Sequence, residues 1–344
     1  VPPDSGSKIF EAYNYSKKPI LTTNGAPNTE QNSEDCLYLN IFTGAGGAKN
    51  KPVMVWIHGG SFVSGSTSDI PYRGDTFAKE HPDIILVTVA YRLGFLGFMN
   101  LSEIPGGDKF KGSENNGIKD QLEALRWVKK NIAAFGGNPN NITIFGESAG
   151  AMSVSALLSC KEAKGLFNKA IIESGTINSG AILSTPESIK AAQYLCEAAG
   201  VKNADELQKL DIEKLLENRS ALDRDGVALC PVNDGEFIPL DPIEAYSEGL
   251  LKGVKVLVGY NKDELRFFLA HTKWNGEEGT EKSFLPFISR IYDKVSAQMT
   301  PEDKEIAENF MAESGESEAL AKERLLSELC FGTGARKIAE IASN

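Results

Sequence analysis

A chain of 344 residues, 41% hydrophobic and 24% charged, has the composition of a globular protein with room for one large α/β domain or two smaller ones. Its formal net charge of −11 gives a surface that repels phosphate, which argues against a nucleic-acid partner. No apolar run approaches the roughly 20 residues of a membrane-spanning helix, and five cysteines without metal-type spacing suggest neither a complete disulfide framework nor a metal site.

Taken in chain order, the opening VPPDSGSKIF has no signal-peptide character and no clear first element, and it reads as cut. CLYLNIF (36–42) and PVMVWIHG (52–59) are the first two strand-like runs. The second leads into HGGSF (58–62), where consecutive glycines let backbone N–H groups approach a substrate oxygen. A third strand is predicted at DIILVTVAYR (83–92), followed by a helix over NNGIKDQLEALRWVKKNIAAF (115–135). In that helix Ile118, Leu122, Leu125, Val128 and Ile132 recur at intervals of three and four, forming one apolar stripe, and GGNP then breaks it. NITIF (141–145), KAIIES (169–174) and VKVLVGY (254–260) complete a set of six strands alternating with helices. That is the pattern of a mostly parallel sheet covered on both faces, and the nearly continuous apolar runs fit strands buried on both sides. Residues 185–225 and 280–328 read as charged, amphipathic helices inserted between or after core strands, either shaping a pocket or covering surface. The tail EALAKERLLSELCFGTGARKIAEIASN is predicted helical, interrupted near Gly332 and Gly334, and also reads as cut.

The fourth strand runs directly into FGESAG (145–150), with the helical AMSVSALLS behind it. A Ser at the tip of a sharp strand-to-helix turn needs glycine two residues before and after it, because side chains there would collide; Gly146 and Gly150 meet that need. Ser148 is therefore the candidate nucleophile, with helix-terminal N–H groups beside it to stabilise an oxyanion. The structural alternative is a Gly-rich helix start merely capped by Ser148.

SEDCLYLNIF (33–42), PVMVWIHGGSF (52–62), AYRLGFLGF (90–98), the whole stretch 115–150, GLFNKAIIESG (165–175) and GYNKDE (259–264) together resemble type-B carboxylesterases, the carboxylesterase/cholinesterase family, and among these the bacterial para-nitrobenzyl-esterase-like members. The resemblance implies an α/β-hydrolase fold over a single, partial domain and a Ser–Glu–His triad. It matches Ser148 to the nucleophile and Glu264, not its neighbour Asp263, to the acid. It assigns the backbone N–H groups of Gly60, Ser61 and Ala149 to the oxyanion hole, with Gly59 and Ser174 in support. It further implies small, uncharged, fairly apolar esters as substrates, with no metal or organic cofactor, and either a cytoplasmic or a secreted bacterial protein. Two departures stand out. The family's histidine follows the acid by well over a hundred residues, whereas only His58, His81 and His271 occur here. His58 precedes Ser148 and is expected to hold its loop, His81 reads as a surface turn residue, and His271 follows Glu264 too closely for the chain to return. The expectation is that the catalytic His is absent from this chain. In addition, secreted members bond the Cys of EDCL to an upstream Cys, and no Cys precedes Cys36. The alternative function is a catalytically inactive cholinesterase-like binding or adhesion protein. Arg92 and Asp120, charges among apolar neighbours in two of the motifs, are expected to form a buried ion pair.

Overall fold

The computed structural model describes residues 12–20, 31–45, 47, 49–177, 185–219, 222, 229–271, 273–274, 277–297 and 299–344. A six-stranded sheet runs through it: β1 (Leu39–Thr43), β2 (Lys51–Ile57), β3 (Ile85–Val89), β4 (Gly137–Glu147), β5 (Lys169–Glu173) and β6 (Lys255–Gly259), in the spatial order β1-β3-β2-β4-β5-β6. Strands β3, β2, β4, β5 and β6 are parallel, and only β1 runs antiparallel, against β3. Each of the six expected strands is present. The crossovers carry helices, as parallel neighbours require, and the result is an α/β-hydrolase sheet.

Full burial on both faces holds for β3 alone, where every residue of ILVTV is buried. In β2 and β5 buried residues alternate with more open ones. In β6, which among the described residues pairs with β5 alone, Leu257 is 65% exposed while Val256 and Val258 pack on the core. A strand with one neighbour and one covered face alternates in burial even where its sequence does not alternate in polarity.

The helix Asn116–Asn131 continues as a 3-10 turn through Phe135 and stops at Gly136, whose φ of 86° is left-handed. All five residues of its predicted stripe are 3% exposed or less, so that face is the one against the sheet. The helix Ala149–Ser159 is buried at every position except Met152. It is a core helix, apolar nearly all round, and Val154 and Leu157 join Val55, Ile57, Ile144 and Ile172 in the main hydrophobic cluster. Burying each such side chain is worth roughly 1.5–3 kcal/mol, and this seam fixes the residue at its head, Ser148.

Helices Thr185–Ala199, Ala204–Gln208 and Ile212–Glu217 occupy much of 185–225, with residues 220–221 and 223–225 outside the described set; Ala191, Leu195 and Leu207 are part of the main core. Helices Glu281–Ser296, Pro301–Glu313 and Glu318–Ser327 fill 280–328. There a second, smaller cluster forms around Leu265, Phe284, Ile288, Ala319 and Leu326. The tail differs from expectation. Gly332 and Gly334 do not end the helix; a π-turn at Glu328–Gly332 leads directly into the helix Thr333–Ser343. A Cβ on Gly334 would lie 2.0 Å from Thr176 Oγ1, so this glycine serves close packing rather than termination. No helix of the described residues is long and apolar enough to cross a membrane.

Candidate active site

The carboxyl ends of β2, β4, β5 and β6 converge, and each carries one of the motifs. β4 ends at Glu147, the helix begins at Ala149, and Ser148 between them has φ 54° and ψ −122°. Such a conformation costs a non-glycine residue on the order of 1–3 kcal/mol and persists only where its surroundings enforce it. Here they do. The Ser148 N–H donates to Glu173 O at 2.9 Å, and Ser148 O accepts from Met152 N at 2.9 Å. The flanking glycines are sterically required: a Cβ on Gly150 would sit 2.0 Å from Ile57 O, and one on Gly146 would sit 2.5 Å from the Gly150 carbonyl carbon. Gly175 is equally constrained, since its Cβ would lie 2.5 Å from Ser148 O.

The HGGSF loop leaves β2 with three successive left-handed residues, Gly60 (φ 112°), Ser61 (φ 54°) and Phe62 (φ 60°). A side chain on Gly59 would meet Glu147 O at 2.7 Å and the Ser148 Cβ at 3.3 Å, so this loop lies directly on the strand-to-helix turn, or elbow, at Ser148. Gly60 O is occupied by the amides of Val63 and Ser64 and by the Ser64 hydroxyl, all within 3.1 Å. Among the described residues no acceptor takes the Gly60 or Ser61 amide, and Ala149 is the first residue of its helix, where N–H groups lack intrahelical partners.

His58 anchors this loop. It is fully buried and stacks on Tyr91 at 4.5 Å, and the Tyr91 hydroxyl donates to His58 O at 2.7 Å. Its Nδ1 lies 2.8 Å from Gly59 O, which only a protonated nitrogen can satisfy, so the ring is the neutral Nδ1–H tautomer. Burial pushes its pKa down to about 4. His81 closes the short helix Asp75–Glu80 at an exposed turn against Phe77. His271 ends the 3-10 helix Leu265–His271, and its side chain lies outside the described residues.

Ser174 follows β5 with φ 54°, and its N–H donates to Gly259 O at 2.8 Å. Its hydroxyl accepts from Asn261 Nδ2 at 3.2 Å. Asn261 in turn holds Glu264: its backbone N–H reaches Oε1 at 2.6 Å and its side-chain amide reaches Oε2 at 3.4 Å. Asp263 points to a different partner, Arg266, at 3.2 Å. The two adjacent carboxylates are therefore separated by their partners, and Glu264 is the one tied to the Ser174 loop. Burial, and after it the charges of Glu264 and Glu173, raise the Glu147 pKa, so acidic groups gather around the elbow. Sequence reasoning missed Asn261, although it stands inside the GYNKDE motif, and it missed Tyr91. Among the described residues no group of three or more His, Cys, Asp and Glu is arranged to hold a metal ion.

The expected Arg92–Asp120 pair is present but only partly buried, with the Asp120 side chain 7% and the Arg92 side chain 33% exposed. Arg92 Nε and Nη2 donate to the two carboxylate oxygens at 2.8 and 2.7 Å, and the Arg92 backbone N–H adds a third bond at 3.0 Å. It locks the segment after β3 to the helix Asn116–Asn131. No disulfide joins the five cysteines; four are buried and Cys330 is half-buried.

The chain is 35% identical over 290 residues to para-nitrobenzyl esterase from Bacillus subtilis (strain 168), covering 82% of this chain and 58% of that protein. It is 39% identical over 286 residues to a cholinesterase from Mus musculus, covering 78% and 46%. Among solved structures it superposes on the carboxylesterase EST55 of Geobacillus stearothermophilus with a TM-score of 0.77 and 36% identity, over 95% of this chain and 66% of that one. A PNB esterase structure gives 0.74 and 30%, over 95% and 67%. The chain thus spans about half the length of the curated relatives it matches. The model of the carboxylesterase family matches residues 1–343, and the chain belongs to that family.

Proposed function

We propose that these residues form the nucleophile-bearing part of a serine carboxylesterase acting on small, uncharged, fairly apolar carboxylic esters. The reading rests on the backbone of Ser148, a non-glycine residue held left-handed between β4 and a buried helix, with the HGGSF loop against it. Ser148 Oγ attacks the ester carbonyl carbon as a histidine removes its proton. The amides of Gly60, Ser61 and Ala149 receive the negative charge that develops on the carbonyl oxygen. Collapse expels the alcohol, which takes the proton back from the histidine, and leaves an acyl-Ser148. Water, deprotonated by the same histidine, then releases the acid and restores the serine. Glu264, steadied by Asn261 and through it by Ser174, orients the imidazole and stabilises its charged form. The histidine belongs to a part of the protein outside residues 1–344; His58 is committed to its loop, His81 to a surface turn, and His271 follows Glu264 by only seven residues, too few for the chain to return. On this reading residues 1–344 are part of one α/β-hydrolase domain, and the helices of 185–225 and 280–328 are insertions bordering its cleft.

The test compares the 344-residue chain with the full-length protein on p-nitrophenyl butyrate, each with a Ser148→Ala control. Strong hydrolysis that depends on Ser148 is expected in the full-length form only. Loss of a triad histidine costs on the order of 10⁶ in kcat, leaving roughly 10³–10⁴ over water. Equal Ser148-dependent turnover in both forms would place the base within these residues; a full-length protein without turnover would refute the esterase reading.

A further inference from the structure

Glu264 sits in the turn after β6, in the outermost strand pairing of the described sheet, and its own carboxylate is bonded to Asn261 alone among the described residues. Its backbone neighbours, by contrast, are clamped. Glu323, on the helix Glu318–Ser327, is completely buried. Its Oε1 accepts the Leu265 N–H at 3.1 Å and the Ser327 hydroxyl at 2.7 Å, and its Oε2 accepts from Arg266 Nη2 at 3.3 Å. The Leu265 N–H belongs to the peptide unit that contains the Glu264 carbonyl, so one buried carboxylate fixes the plane of that peptide. The same Arg266 nitrogen lies 3.2 Å from Asp263 Oδ1. Residues 263, 265 and 266 are thus all tethered, with Glu264 between them, and the Leu265 side chain is seated in the second core cluster beside Leu326.

A carboxylate is an unusual group to bury at this point. Leu265 N–H opens a 3-10 helix and would be satisfied by water or by a neutral side chain. Burying a charge is costly unless every oxygen finds donors in good geometry, and removing one partner of such an arrangement is strongly disruptive. What the charge adds is a link between the peptide of Glu264 and Arg266, and through Arg266 to Asp263, on the two sides of one residue.

We propose that Glu323 is a positioning residue for the reaction read above: with Arg266 it sets the backbone of Glu264 and so the direction in which that carboxylate presents itself to the histidine. The inference rests on Glu264 being the acid of the triad. A displacement of about 1 Å in such a group costs as much as ~10²-fold in rate.

In the full-length protein, with kcat expressed per active site titrated by a fluorophosphonate, Glu323→Leu should lower kcat on p-nitrophenyl butyrate by roughly 10–100-fold while KM moves less than about threefold. Glu323→Gln, which keeps an oxygen for the Leu265 N–H but loses the charge, should fall between the two. In a Glu264→Gln background the Glu323→Leu change should add less than about twofold, because the two residues act as one unit. Full additivity there, or an unchanged kcat per titrated site in Glu323→Leu, would overturn the proposal; loss of titratable sites alone would show that Glu323 serves folding only. Should Ser148→Ala retain turnover, or Glu264→Gln alone leave kcat unchanged, the Ser148–Glu264 mechanism fails first, which separates that failure from this one.

Discussion

Replacing His58 by Phe should remove an acid sensitivity that the wild-type residue builds into the core. The folded state holds the His58 pKa near 4, against 6.5 for an ordinary histidine, because burial strips water from the charged ring. Between those values the unfolded chain binds a proton that the folded chain refuses, so stability falls as pH drops from 6.5 and levels off near 4. The gap amounts to about 3 kcal/mol, at roughly 1.4 kcal/mol per pH unit. Phenylalanine keeps the stack on Tyr91 but loses the Nδ1–H donation to Gly59 O. That loss should cost about 1–3 kcal/mol at pH 7.5. The natural protein should therefore be the more stable at pH 7.5, and its advantage should vanish or reverse by pH 4.5. Glu114 and Glu147, whose carboxyls burial raises, favour the folded state as pH falls, but they are common to both proteins and cancel in the comparison. Urea unfolding followed by tryptophan fluorescence at four or five pH values measures the difference. Parallel curves for the two proteins would refute the argument, since they would mean that His58 takes up no extra proton on unfolding.

Two further outcomes follow from contacts already described. Asp120→Ala removes three bonds to Arg92 from a side chain only 7% exposed; because Arg92 itself is one-third exposed, the loss should be about 2–4 kcal/mol in urea unfolding, and a loss below ~0.5 would contradict the pairing argument. Gly150→Ala drives a Cβ against backbone atoms of Ile57 and His58, so it should abolish fluorophosphonate labelling of Ser148 and lower the melting temperature, whereas Gly165→Ala, with nothing within 4 Å, should carry only the left-handed backbone cost of roughly 1–2 kcal/mol.

Those contrasts bear on what a sequence makes legible. The turn at Ser148 was readable because its constraint is local: within five residues, Gly146 and Gly150 stand where a Cβ would meet backbone atoms. The six strands were readable because runs such as ILVTV are β-branched and sit between turn residues. Boundaries were less so. β4 begins at Gly137, ahead of the NITIF run, because a register shift lets Lys51 pair with Gly137 before Val53 pairs with Ile142. The C-terminal glycines misled, since a glycine that ends a helix and one that admits a neighbour's side chain look the same in one dimension. The support of Glu264 was invisible for a similar reason. Glu323 lies 58 residues beyond the Leu265 amide it accepts, in a stretch, AKERLLSEL, whose charges read as solvated. Yet Ala319, Glu323 and Leu326 fall at intervals of four and three, on one helical face, and all are buried. A carboxylate that occupies a position in an apolar stripe must have its hydrogen-bond donors supplied from elsewhere in the fold. Beside the Ser327 hydroxyl one turn on, the donors found here are the amide and the guanidinium that follow Glu264, so that intrusion of charge into the stripe was the one local sign of how the Glu264 turn is held.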